Sequence, residues 1–147
     1  MNTDNVEHLK SIFTALDEIN RHIKVLLPLH PRTKAIVKRE KIQTNVSVID
    51  PVGYLVMTQL IKNCEMVITD SGGLQKEACF WEKHCVILLD STPWVELVAN
   101  GHALLGGTDP KIIIESWKAL AGKSFSNKLP LYGDGTYAKQ IVSKLLV

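Results

Sequence analysis

Two short runs, Met66-Val67-Ile68-Thr69 and Cys85-Val86-Ile87-Leu88-Leu89, are apolar at almost every position rather than at alternate ones. Such a strand is buried on both faces, which a parallel sheet covered by helices provides and an antiparallel sheet with one wet face does not. The stretches between such runs carry the three- and four-residue spacing of amphipathic helices. Val6, Leu9, Ile12, Phe13, Leu16 and Ile19 mark one over residues 4–20, with Asp4 and Glu7 as a capping pair. Further strands are predicted at residues 23–29, 45–49 and 103–105, and further helices over 33–41, 54–63, from 92 to 99, over 108–121 and after Gly135. In the helix at 54–63, Leu55, Leu60 and Ile61 are expected to face inward. The alternation predicts one α/β domain over residues 1–147: a Rossmann-like parallel sheet with right-handed crossovers and helices on both faces.

With 147 residues, 46% of them hydrophobic, the chain is long enough to bury a sizeable core. A net charge of +2, with cations such as Lys34, Lys38 and Arg39 on a solvated helix face, argues against a nucleic-acid partner. No apolar run approaches the ~20 residues that span a bilayer, and residues 1–5 do not read as a secretory leader. The expectation is a cytoplasmic protein with no membrane partner. Cys64, Cys79 and Cys85 are odd in number and lack CxxC spacing, which fits reduced, buried thiols. His8, His22, His84 and His102 have no metal-ligand spacing, so no metal site is expected, and they read as surface or satisfied residues. Trp81 and Trp94 read as core.

The stretch with chemistry in it follows the strand at Met66. Asp70-Ser71-Gly72-Gly73 demands a tight turn, and glycine tolerates the positive φ that such turns use. A helix that begins at the glycines offers free N–H groups and the positive end of its dipole beyond the strand's carboxyl end, an arrangement that favours phosphate. Ser71 adds a hydroxyl, and Glu77 an acceptor for sugar hydroxyls about a turn and a half on. On local spacing alone the alternative is an ordinary strand-to-helix turn, with Ser71 as N-cap and Asp70 orienting the turn. His30-Pro31-Arg32 likewise reads as a turn before a contact, and Gly133-Asp134-Gly135 as the entry to the last helix.

Taken together, His30-Pro31-Arg32-Thr33, Asp50-Pro51-Val52-Gly53-Tyr54-Leu55, residues 69–78, Thr92-Pro93-Trp94-Val95-Glu96-Leu97-Val98 and Tyr132-Gly133-Asp134-Gly135 stand in the order and spacing of one family. The chain resembles the carboxyl-terminal nucleotide-binding domain of the non-hydrolysing UDP-N-acetylglucosamine 2-epimerases over nearly all its length. The resemblance implies half of a two-domain GT-B architecture, with a UDP-sugar held against an amino-terminal domain across a cleft. It implies that Ser71, Gly72 and Gly73 hold the diphosphate, that Glu77 takes the ribose hydroxyls, and that the loop from Val52 to Met57 borders the uracil. The reaction it implies inverts C2 by eliminating and re-adding UDP, with no dissociable cofactor.

Three departures accompany the resemblance. Leu89 stands where the family usually has arginine, and a guanidinium lost from a diphosphate costs about 1.5–3 kcal/mol of binding if nothing replaces it. Pro93 replaces a common acidic residue. The family's first strand of this domain, its His-Arg-x-Glu-Asn motif with the catalytic histidine, and its amino-terminal domain do not appear in the sequence, so no catalytic residue is assigned. The implied role is the UDP-binding half of an epimerase, inactive alone. A stand-alone nucleotide-sugar-binding or interaction module is the alternative, and half of a GT-B glycosyltransferase, against which the Ser-Gly-Gly-Leu-Gln-Lys-Glu run argues, is a third. The missing strand leaves the sheet centre either closed on itself or open to self-association, including as a homo-oligomer.

Overall fold

Asn5 starts the first helix by accepting from the backbone N–H groups of Glu7 and His8 at 3.0 and 3.3 Å, so α1 runs Val6–Asn20 and buries Leu9, Ile12, Phe13, Leu16 and Ile19. The computed structural model describes residues 2, 5–126 and 131–146. Asp4, expected in the cap, lies outside them. The order continues β1 (Leu26–Pro28), α2 (Pro31–Arg39), β2 (Ser47–Ile49), α3 (Tyr54–Asn63), β3 (Met66–Thr69), α4 (Gly72–Phe80), β4 (His84–Ile87), α5 (Val95–Ala99), β5 (Ala103–Leu105), α6 (Pro110–Leu120) and α7 (Tyr137–Leu145). Strands and helices alternate through β5, and every strand pairing is parallel, as continuous apolar runs require.

β4 is the axis of the packing. Val86 and Leu88 join α1 and α6 in one apolar cluster with Phe13, Leu16 and Ile113, while Cys85 and Ile87 join Ile61, Ala78 and Leu97 on the other side. Successive strand residues point to opposite faces, so one strand serves both cores. The cysteines are all free; burial pushes the Cys85 thiol up to about 12. Among the described residues, no helix is long and apolar enough to cross a membrane.

The five strands do not form one sheet. β1 pairs with β2, β3 pairs with β4, β4 pairs with β5, and no ladder joins β1 to β3. The sheet centre has not closed on itself. β1 is also shorter than expected. The Val25 N–H is taken by Asn20 Oδ1 at 2.8 Å, leaving only Leu26 to Pro28 in regular pairing with β2.

Two expectations about single residues fail here. Leu55 is 78% exposed, as are its neighbours Tyr54 and Val56 at 69% and 52%. His84, read as a surface or satisfied residue, is buried and unsatisfied, and His102 is buried beside it. The His102 ring stacks on Phe125 at 4.3 Å, His84 lies tilted against the same phenyl at 5.3 Å, and neither His84 nitrogen has a partner among the described residues. Both histidines enter their strands at the amino-terminal end of the sheet, where Phe125 covers them.

Burial, and to a lesser degree the neighbouring His84, hold His102 below the ordinary imidazole value. The unfolded chain therefore takes up a proton at His102 before the folded one does, and stability falls as pH drops through about 6.5 toward the lower folded value. Thermal melts between pH 7 and 5 are expected to show that decline, and His102→Gln is expected to flatten it. An unchanged slope in the variant would assign the decline to other groups.

Candidate functional site

Every strand pairing is parallel, so the loops after β3 and β4 emerge together at strand carboxyl ends, where ligands of open α/β sheets bind. The loop after β3 is the sharpest. Ser71 is extended (φ −85°, ψ 121°) and Gly72 is the first residue of α4. The Ser71 hydroxyl makes no capping bond to the helix; its N–H instead donates to Thr69 Oγ1 at 3.0 Å. Thr69 thus shapes the turn assigned in the sequence to Asp70, which is exposed. The Ser71 hydroxyl remains at the helix mouth.

The glycines do not serve the purpose that the sequence suggests. Positive φ occurs at Gly101, Gly107, Gly122, Gly133 and Gly135, not at Gly72 or Gly73. A Cβ on Gly73 would meet nothing closer than Ser71 Oγ at 3.9 Å, and one on Gly72 only Trp94 Nε1 at 3.6 Å. Neither backbone strain nor internal packing requires glycine here. What the missing Cβ atoms leave is a bare helix terminus that a ligand can approach closely.

A clamp missed by the sequence reading holds that terminus still. Trp94 Nε1 donates to the Gly72 carbonyl at 2.9 Å, the Trp94 N–H donates to Thr92 Oγ1 at 3.1 Å, and Thr92 Oγ1 donates to Gln75 Oε1 at 2.6 Å. Gln75 is fully buried. The loop after β4 is thereby tied to the first turns of α4. Lys76 Nζ lies 4.3 Å from the Trp94 ring centre and 4.7 Å from that of Tyr132. Glu96 is held below the usual carboxylate range, first by a backbone hydrogen bond, then by the Tyr132 hydroxyl and by Lys76. Trp94 is therefore both packed and hydrogen-bonded, while Trp81, expected in the core, is 37% exposed with Lys62 over its ring.

Glu77 is half-buried and follows Gly73 by four residues, on the same face of α4. Val52 lies in the loop between β2 and α3, half-buried; Met57, in the first turns of α3, donates its N–H to Gly53 O at 3.0 Å and packs against the cluster of Ile61 and Leu97. α3 is in contact with α4, the helix that carries Gly72, Gly73 and Glu77. Leu89 packs into that cluster as an apolar residue. His30 is a cap: its Nδ1 accepts from the Arg32 N–H at 3.2 Å, as the turn reading expects. Asp134 accepts from the N–H and hydroxyl of Thr136 at 3.0 and 2.6 Å and so shapes the entry to α7. Among the described residues no cluster of three or more metal-ligating side chains exists.

Comparison with known proteins adds a family to this geometry. The family model described as UDP-N-acetylglucosamine 2-epimerase matches residues 1–146. A UDP-2,3-diacetamido-2,3-dideoxy-D-glucuronate 2-epimerase from Pseudomonas aeruginosa is 45% identical over 145 residues, 98% of this chain but 41% of that protein. A UDP-N-acetylglucosamine 2-epimerase from Methanocaldococcus jannaschii is 36% identical over 149 residues, covering 96% and 40%. The crystal structure of the M. jannaschii enzyme in complex with UDP-GlcNAc and UDP superposes with a TM-score of 0.87 at 35% identity, over 99% of this chain and 42% of that one. The chain therefore spans about two-fifths of the length of these relatives.

Because α4 gains nothing conformational from Gly73, Gly73→Ala is expected to stabilise the chain by about 0.4–1 kcal/mol through helix propensity and a less flexible unfolded state. Denaturant midpoints measure this. A destabilised variant would show that the glycine serves the fold.

Proposed function

The chain belongs to the UDP-N-acetylglucosamine 2-epimerase family, and from that premise we propose that residues 1–147 form a single UDP-binding domain, one half of a sugar-nucleotide 2-epimerase. The observation that carries this reading is the bare terminus of α4, where two glycines that the fold does not need stand beside an uncommitted serine hydroxyl. Backbone N–H groups of Gly72 and Gly73 and the Ser71 hydroxyl hold the diphosphate, with the helix dipole adding its positive end. Glu77 accepts from the ribose hydroxyls, a charge-assisted bond of the stronger kind. Val52 and Met57 border the uracil with apolar surface.

The relatives' names support UDP more firmly than any one sugar. The P. aeruginosa relative is named for a diacetamido glucuronate and the M. jannaschii one for N-acetylglucosamine, yet both names share UDP and inversion at C2. The nucleotide half of such a site is indifferent to the sugar's substituents. Elimination and re-addition of UDP also need acid–base groups placed at C2 and at the leaving oxygen. The residues at the mouth of α4 supply binding groups and no such pair. The chain alone therefore binds UDP and does not turn over. The free cysteines fit a reducing compartment, and the proposed location is the cytoplasm.

A second reading has one observation in its favour. Leu89 is packed into the apolar cluster, so the position offers no cation to the diphosphate, as in a module that keeps the fold and has shed the chemistry. Lys76, held against Trp94 and Tyr132, is the nearest cation on α4 to the cradle in sequence.

Calorimetry with UDP and with inorganic phosphate tests the assignment. Glu77→Ala is expected to weaken UDP by about 1.5–3 kcal/mol, roughly ten- to a hundredfold, and to leave phosphate unchanged, because its partner is the ribose. Gly73→Val is expected to weaken both. A nuclear magnetic resonance assay of C2 inversion on UDP-N-acetylglucosamine is expected to stay blank with this chain alone. Turnover would refute the inactive half, and no UDP binding at millimolar concentration would refute the site.

A further inference from the structure

A diphosphate is a multiply charged anion, and the loops beside the mouth of α4 carry charge of the same sign. β3, β4 and β5 lie in one parallel sheet, so the loops that leave them share one edge. Those loops hold Asp70, Asp90 and Asp109 and neither lysine nor arginine. The loop after β4 gives its Leu89 to the apolar cluster. Against three carboxylates, the end of a helix dipole amounts to only about half a positive charge. An anion held at this edge needs a full cation beside it, because the summed field of the loops is repulsive.

α4 carries one. Lys76 is its single lysine or arginine. Gly72 and Lys76 stand one turn apart on the same side of the helix, and Trp94 links them. Trp94 Nε1 donates to the Gly72 carbonyl at 2.9 Å, while Lys76 Nζ lies 4.3 Å from the centre of the Trp94 ring. The ammonium is thus drawn back beside the first residue of α4. The Tyr132 ring flanks it at 4.7 Å, and Glu96 feels its charge at longer range, yet among the described residues no carboxylate pairs with it. For the helix alone this placement is unfavourable. Cations belong at a helix's carboxyl terminus, and the first turn of α4 has no acidic residue to offset one at the other end. Aromatic faces steer an ammonium without neutralising it. A local rule broken in this way is the mark of a functional position, here one that awaits an anion.

We propose that Lys76 is the cation of the diphosphate site, seated on Trp94 so that its ammonium pairs with the phosphate that the Gly72 and Gly73 N–H groups hold. The proposal rests on the UDP-binding reading above and names a residue that the reading leaves out. Lysine suits the role as a compact charge on a flexible stem, able to follow a phosphate without a fixed fork geometry. Trp94 acts here as a positioning residue. Its ring seats the ammonium and its indole N–H fastens the Gly72 peptide, so the cation and the backbone donors are held in one frame with Thr92 and Gln75.

Calorimetry with UDP and with inorganic pyrophosphate tests this on the unaltered chain and on Lys76→Met, Lys76→Gln and Lys76→Arg. Each neutral variant is expected to weaken both ligands about ten- to a hundredfold, the range of one charge-assisted bond, and to flatten the loss of affinity with rising salt. Lys76→Arg, which keeps the charge, is expected to recover most of that loss, which a merely structural role for the lysine stem would not predict. If the unaltered chain binds UDP and the neutral variants bind it equally well, the proposal is overturned and the UDP reading stands. A loss confined to UDP, or an arginine variant as weak as the neutral ones, overturns it too. If the unaltered chain binds no UDP at millimolar concentration, the UDP reading falls and takes the proposal with it.

Discussion

Everything in this fold hangs on the burial of β4 from both sides. Val86 and Ile87 are both 0% exposed and point in opposite directions, so the α1–α6 layer and the α3–α4–α5 layer share one strand as their common wall. Fully burying a side chain of that size is worth about 1.5–3 kcal/mol, so the central strand contributes to both layers at once. The ladder then propagates the constraint: β3 and β5 are aligned by four and three paired residues of β4, and the loops after them inherit their positions.

The proposed diphosphate cradle is a direct product of that alignment. α4 begins where β3 ends, and its first turn is fastened through Trp94, Thr92 and Gln75 to the loop that leaves β4. A neutral hydrogen bond contributes about 0.5–1.5 kcal/mol net, so the three together are of the same order as the cost of ordering two or so loop residues at about 1–2 kcal/mol each. The clamp also explains how α4 tolerates two glycines at its start. Residues that would fray a free helix end are held from outside it, and the N–H groups stay oriented without a side-chain cap.

How much of this was legible in the sequence varies with the range of the interaction. β3, β4 and β5 were readable because burial on both faces writes itself into consecutive residues, as in Met66-Val67-Ile68 and Cys85-Val86-Ile87. β1 was overread, since Ile23 and Val25 are apolar for packing against α1 while the Val25 N–H is diverted to Asn20. The turn at Ser71 was located but misexplained: the glycines suggested positive φ, whereas the backbone there is ordinary and the free space around it is the informative feature. The clamp was invisible because Gln75 and Thr92 are 17 positions apart and neither has a pattern that announces a partner. His84 failed for a related reason, in that a lone histidine at a strand entrance does not reveal that Phe125, 41 residues on, will cover it.

The site divides along the same line as the sheet. Ser71, Gly72, Gly73 and Glu77 stand at or on α4, whose first turn is tied by Trp94 to the loop after β4. Val52 and Met57 depend on α3, and Met57 is itself part of the wall of a cavity between β1 and β3. The proposed phosphate half is therefore held by the pairing of β3 with β4 and by the Trp94 clamp, while the proposed base half has no such tie. Preorganisation sets how much interaction energy survives as affinity. On the proposed reading, the diphosphate end of UDP then keeps more of its interaction energy as affinity than the uracil end.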